Sequence, residues 1–204
     1  MRNGVRERDS RKARCRAPCP HGRGHDGLKK ALEETDGDLE KAVDVLRKKG
    51  AAKADKRAGR EASEGVIGSY VHFDGSVGVL VELNSETDFV ARTEDFKALA
   101  KDIAVHIAAT NPLAVRIEDL PPELVARERK VYESQVAEQK KPENIRAKIV
   151  DGMMRKFYEE RVLLEQKFVK DDKRTVGELV KELSGKTGEK VGIRRFARLE
   201  LGGN

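Results

Sequence analysis

Residues 84–92 read Asn84-Ser85-Glu86-Thr87-Asp88-Phe89-Val90-Ala91-Arg92, and one structural period gives way to another across them. Before them, Val77, Val79, Val81 and Leu83 recur at every second position, the spacing of a strand with one buried face. After them, Phe96, Leu99, Ala100, Ile103 and Ile107 recur at helical spacing. Thr93 stands where an N-cap belongs, with Glu94 and Asp95 favourable in the first turn. A turn from strand to helix is normally polar and solvated, yet this one sets Phe89 beside Asp88. Two readings follow from the residues. Either Phe89 covers the hairpin as a core plug while Asp88 helps to cap the next helix, or the ring is a probe aimed at a partner.

Working outward, Val66–Phe73 reads as the strand that precedes. Asp74-Gly75 is a hairpin signal, because both central positions of a two-residue turn need positive φ. On the other side, Asn111-Pro112 stops the helix. Pro121-Pro122 opens another helix, and Pro142 separates it from the next. Val131 and Val136 on one and Ile145, Ile149 and Met153 on the other suggest a charged antiparallel helical hairpin over about 121–161, too sparse for a long coiled coil. Thr175 with Glu178 forms a capping box that starts a helix through Leu183. Asp171-Asp172 reads as a solvated turn ahead of that cap. The closing strand alternates Val191, Ile193, Arg195, Ala197, Leu199 and Leu201, and joins the same sheet. Residues 65–204 are therefore expected to form an α+β core with an antiparallel sheet.

Toward the N-terminus, Ala31–Lys49 reads as helix, turn, helix. Asp38 is the N-cap of the second helix, Leu39, Ala42, Val43 and Leu46 are its apolar face, and Gly50 is its stop. Residues 51–64 are rich in Ala, Lys and Arg without an apolar face and read as a linker. Residues 1–28 are irregular and Arg-rich. Cys15, Cys19, His21 and His25 have the chemistry of metal ligands, but one residue between the Cys and His pairs leaves no room for a zinc-finger hairpin and helix. A disordered arm is the expectation there.

Composition narrows the function classes. The chain has 204 residues, is 38% charged and has no Trp. No apolar run is long enough to span a bilayer, and the basic N-terminus has no apolar stretch behind it, so a cytoplasmic protein is expected. The net charge of +6 lies in the arm: residues 1–25 hold eight Lys or Arg and two Asp or Glu, which leaves 34 of each sign elsewhere. A neutral body argues against binding a phosphate backbone. The catalytic inventory is thin. There is no Gly-rich phosphate loop, Gly-x-Ser-x-Gly or His-Glu-x-x-His motif. His72 and His106 read as packed or rim histidines, and Glu86 with Asp88 is a weak acid–base pair.

Five ordered segments carry a resemblance: Lys29-Lys30-Ala31-Leu32, Gly65-Val66-Ile67-Gly68, Thr87-Asp88-Phe89-Val90, Phe168-Val169-Lys170-Asp171-Asp172 and Arg194-Arg195-Phe196. Together they resemble the elongation factor Ts family over nearly the whole chain after Lys29. Ser85, where that family commonly has Cys, is a small departure. The resemblance implies an incomplete ubiquitin-associated-like (UBA-like) helical domain over residues 29–50, followed by the α+β core. The family reads Met-Met-Asp-Cys ahead of Lys-Lys-Ala-Leu. The bases C-ATG-ATG-GAC-TGC, taken one base early, encode His-Asp-Gly-Leu, which is His25 to Leu28. Residues 1–28 are therefore expected to be translated out of frame.

The resemblance also implies a function. The partner is elongation factor Tu, in its GDP-bound and nucleotide-free forms. Thr87, Asp88, Phe89 and Val90 are the implied contact residues. The Phe enters an apolar slot beside the Mg²⁺ site of the GTPase, the Asp disturbs Mg²⁺-linked contacts, and GDP departs. No cofactor and no catalytic chemistry of its own are implied, and neither membrane nor direct nucleic-acid contact is expected. The chain resembles the shorter form of the family, for which a homodimer is an expectation. The rival reading is an RNA- or ribosome-associated binding protein that uses the arm and the helical hairpin.

Overall fold

The computed structural model describes residues 24–39, 41, 42, 45, 46, 57, 59–137 and 142–203. Most of the Arg-rich arm, with Cys15, Cys19 and His21, and residues 51–56 and 58 of the expected linker lie outside the described residues. The chain divides into two compact units, residues 1–46 and 47–204.

In the first unit, α1 spans Gly24–Glu34 and so begins before the expected Ala31. Thr35 Oγ1 donates to the Ala31 carbonyl at 2.8 Å. Gly37, at φ 84°, closes the reversal by donating its N–H to the Leu32 carbonyl at 2.9 Å. Asp38 then takes the capping place expected of it: its Oδ1 accepts the Lys41 N–H at 3.2 Å. Ala31 and Ala42 are fully buried. Leu39, expected on the inner face, directly follows the N-cap and is 68% exposed.

The second unit is built on a three-stranded antiparallel sheet in the order β1 (Glu64–Val71), β2 (Val77–Ser85), β5 (Val191–Glu200). The late strand thus joins the sheet of the hairpin, as its alternation implied. Val79, Val81 and Leu83 of β2 all face inward. Against them lies α3 (Glu94–Thr110), whose Phe96, Ala100, Ile103 and Ile107 are buried. Thr93 caps it and Asn111, at φ 47°, ends it. The close approach of α3 to β1 depends on Gly68: a Cβ there would sit 2.7 Å from the Ala100 carbonyl oxygen.

Two expectations about the three-stranded sheet are corrected. The β1–β2 reversal is not a two-residue turn with both central φ positive. His72 accepts from Gly75 N–H at 2.8 Å and donates its own N–H to the Val77 carbonyl at 2.8 Å. Only Gly75 is left-handed, at φ 72°. Asp74 stays at negative φ because its Oδ1 accepts from both Ser76 N–H, at 2.9 Å, and Ser76 Oγ, at 2.7 Å. The second correction concerns β5. Leu83 pairs with Ile193 but Glu82 pairs with Arg195, so Arg194 is an extra residue in a bulge. One added residue inverts the alternation. Val191 and Ile193 face the core, but beyond the bulge Phe196 takes the inner side and Ala197 and Leu199 turn outward, Leu199 being 76% exposed.

A smaller apolar cluster lies between α4 (Pro122–Ala137) and α5 (Glu143–Arg161). The seam is Val136 against Val150, Met154 and Phe157, one residue round from the Ile145, Ile149 and Met153 line expected. Val131 and Ile145 face solvent instead, and Ile149 and Met153 flank the seam half-buried. Asp171-Asp172 is also not a free turn. It opens β4 (Asp171–Thr175), which pairs with β3 (Lys167–Phe168) in a two-stranded ribbon not foreseen from the residues. Thr175 and Glu178 form the expected capping box at the start of α6 (Val176–Thr187). Among the described residues no helix is long and apolar enough to cross a membrane.

His106 is fully buried under this ribbon. The Val169 N–H points at its Nδ1, at 3.3 Å, so Nδ1 is the acceptor and Nε2–H donates to Gln166 Oε1 at 2.9 Å. Thr110 Oγ1 donates to the same Gln166 oxygen, at 2.9 Å. Burial pushes the imidazole pKa below its ordinary 6.5. The unfolded chain therefore binds a proton at pH values where the folded one does not. Stability from this site is complete above the unfolded value of 6.5 and is lost as pH falls through the lower folded value. Melting temperature is expected to fall more steeply on acidification from roughly pH 8 to pH 5 in the wild type than in His106→Gln. Parallel curves for the two proteins would show that this imidazole is not the titrating group.

Candidate functional site

The site grows out of the end of β2. Ser85 is fully buried, and its Oγ donates to the Thr87 carbonyl at 2.9 Å. Thr87 is extended (φ −129°, ψ 157°) and leads into α2, a single helical turn over Asp88–Ala91. Thr93 closes that turn at once. Its N–H donates to the Val90 carbonyl at 3.0 Å and its hydroxyl to the same oxygen at 2.7 Å, while its Oγ1 accepts the Phe96 N–H at 3.4 Å. The turn is therefore clamped between the central strand and the main helix.

Inside this frame the four residues singled out by the sequence part company. Val90 is 9% exposed and, with Ala91, belongs to the core between sheet and α3. Phe89 lies on the opposite side and is 80% exposed. Of the two readings the residues left open, the core plug is excluded: the plug is Val90, one residue on. Asp88 is half-buried and pairs with Arg92 Nη2 at 2.8 Å, on its own turn. Thr87 turns toward Glu189, far along the chain. Its N–H donates to Glu189 Oε2 at 3.0 Å and its Oγ1 to Glu189 Oε1 at 2.8 Å.

Glu86 completes the underside. Its Oε1 accepts the Lys190 N–H at 2.6 Å, and Arg60 Nη1 lies 3.3 Å from its Oε2. The Lys190 amide, aided by the Arg60 charge and opposed by partial burial, holds this carboxyl below the usual carboxylate range. Glu189 and Lys190 were not singled out from the sequence. They lie about a hundred positions from the turn, and no periodicity links partners at that distance. The one local signal was Gly188, the left-handed C-cap that forces the chain to reverse after α6.

The other candidates lie elsewhere. His72 is half-buried beside the hairpin turn, with its Nδ1 3.0 Å from Tyr70 Oη and its ring centroid 4.5 Å from that of Phe73. His106 is sealed in the core. Asp171 is held by Arg174 Nε at 2.6 Å, which keeps its carboxyl below the ordinary value. Among the described residues no group of three or more His, Cys, Asp or Glu side chains could hold a metal ion. What the turn presents is apolar area on a braced support: one aromatic ring facing water beside the Asp88–Arg92 ion pair, with its backbone tied to the end of β2, to the N-cap of α3 and to Glu189.

Comparison with known proteins bears on this turn. A family model described as Elongation factor TS matches residues 49–203. The chain is 55% identical over 174 residues to the elongation factor Ts of Syntrophobacter fumaroxidans, covering 85% of this chain and 87% of that protein. It is 55% identical over 181 residues to that of Geobacter sulfurreducens, covering 89% and 84%. With the elongation factor Ts of Thermotoga maritima it shares 53% identity over 174 residues, covering 85% and 86%.

Proposed function

The chain belongs to the elongation factor Ts family of translation factors, and from that premise we propose that it is a guanine nucleotide exchange factor for elongation factor Tu. It binds the GDP-bound GTPase in the cytoplasm, promotes loss of Mg²⁺ and GDP, and holds the nucleotide-free form until GTP enters. The observation that carries this reading is the Phe89 ring, 80% exposed on a turn whose other face is locked into the core. A ring left in water forgoes about 1.5–3 kcal/mol of burial, which becomes available when a partner slot receives it.

The physical step is negative coupling between two ligands of one GTPase. A ring wedged beside the Mg²⁺ site disfavours the arrangement that holds the ion. Without the ion the diphosphate charge is uncompensated, and GDP leaves. The coupling is reciprocal, so GDP must weaken binding of this chain by the same factor. Asp88, paired with Arg92 and next to Phe89 in the chain, acts on the polar contacts around the ion. Val90 and Thr87 serve from behind, as the seat and the rein of the turn. This chain forms no covalent bond in the process. The test is release of a fluorescent GDP from elongation factor Tu on addition of the protein; release at the spontaneous rate would refute the assignment.

The reading extends to a second copy. Among the described residues the sheet is covered on one face only. Its outward face carries Ile67, Val71, Leu80 and Leu199 above the Glu82–Arg195 ion pair. Two such faces can pack as aligned sheets. A molar mass of twice the 22.7 kDa chain is expected in light scattering, reverting to one chain on Leu80→Glu. A monomeric wild type would remove the second copy from the proposal. Residues 29–50 are assigned to a remnant of the UBA-like domain and residues 1–28 to an out-of-frame segment, which resequencing of that stretch of the gene tests.

A further inference from the structure

We propose that Glu189 is the positioning residue for Phe89, acting through Thr87. This rests on the exchange reading above and adds to it the group that aims the ring. Three threonines stand at helix N-termini in this unit. Thr93 accepts from Phe96 N–H, and Thr175 accepts from Glu178 N–H at 3.2 Å, each capping its own helix. Thr87 is the exception, since its side chain makes no capping bond to α2. The hydroxyl and the N–H both go to Glu189 instead, one to each carboxylate oxygen. Two bonds to two oxygens fix a direction as well as a distance.

A four-residue helix cannot hold itself in water, because nucleation is unfavourable at that length. Val90 and Ala91 set how deep α2 sits. They and Thr93 hold its C-terminal end, whereas the angle at its entry beside Thr87 decides where the Phe89 ring points. Glu189 supplies the missing constraint from a rigid base. Its carbonyl accepts from Ser184 Oγ at 2.6 Å, and Gly188 N–H donates to the Ser184 carbonyl at 3.1 Å, which pins the reversal after α6. The neighbouring residues repeat the tie in the opposite sense, with Lys190 N–H donating to Glu86. Each turn thus lends a carboxylate to the other's backbone amide. Bonds to an ionised acceptor are the strong ones, so a neutral amide in place of the carboxylate weakens the grip without removing its bulk.

The experiment measures fluorescent-GDP release from elongation factor Tu against concentration of exchange factor, for wild type, Glu189→Gln, Phe89→Ala and the double variant. Glu189→Gln is expected to lower the maximal release rate about tenfold while the half-saturating concentration stays put. A fold partly lost would do the reverse: fewer active molecules raise the half-saturating concentration and leave the maximal rate alone. On the Phe89→Ala background, Glu189→Gln should cause no further loss, because no ring is left to aim. Wild-type rates for Glu189→Gln, a shift confined to half-saturation, or losses that multiply in the double variant would each overturn the proposal. Wild-type rates for Phe89→Ala would instead bring down the exchange reading itself, and this inference with it.

Discussion

Phe89→Ala is expected to fold as the wild type does and to lose roughly ten- to a hundredfold in stimulated GDP release. Both halves of the expectation come from one observation. The ring is 80% exposed, so its removal leaves no cavity, and the melting temperature should move by less than a degree or two. What is lost is contact energy realised in the step that releases GDP. A buried Phe is worth about 1.5–3 kcal/mol, and each 1.4 kcal/mol taken from the stabilisation of the release step costs about a factor of ten. Asp88→Ala should hurt less, since its charge is already met by Arg92 at 2.8 Å. Fluorescent-GDP release with the three proteins, each checked for melting temperature, reads both effects. Unchanged release with Phe89→Ala would show that the exposed ring has no part in exchange.

Phe96→Ala is expected to do the opposite. That ring lies only seven residues along, at the start of α3, and is 0% exposed among Val81, Leu83 and the other apolar side chains of the core. Truncation removes its transfer energy and leaves a hole that close-packed neighbours fill only in part. The cost is about 3–5 kcal/mol, a large share of the roughly 5–15 kcal/mol that holds a domain together. Urea denaturation should show the midpoint move to much lower concentration at an unchanged slope. Under conditions where the variant is still folded, its GDP-release activity per folded molecule should match the wild type. A midpoint within experimental error of the wild type would mean that the sheet and α3 do not form one core.

The contrast between these two rings was legible in the sequence only in part. Phe96 could be placed because Ala100, Ile103 and Ile107 follow it at helical spacing, and a residue on such a stripe is buried. Phe89 belongs to no stripe, so its orientation stayed open between plug and probe until Val90 was seen in the core. The strands were readable for the same reason as α3: Val79, Val81 and Leu83 alternate, and the alternation survives folding. It failed in β5 because the bulge at Arg194 adds one residue, and a period of two cannot survive an added residue. The β3–β4 ribbon was missed because Lys167–Phe168 is too short to show a period at all. The support of the site was the least legible part. Glu86 and Glu189 look like ordinary surface acids, and only the packed chain brings Glu86 to the Lys190 amide and Glu189 to the Thr87 amide.

That cross-tie also governs when the turn becomes braced. A chain emerges from the ribosome in order, and its early segments can fold before the late ones exist. The turn with the exposed ring is made well ahead of its support, since Glu189 follows Thr87 by 102 residues. A nascent chain halted between the two would carry the aromatic tip without the hands that steady it. The braced form of the turn therefore appears only once the residues that follow α6 have been made.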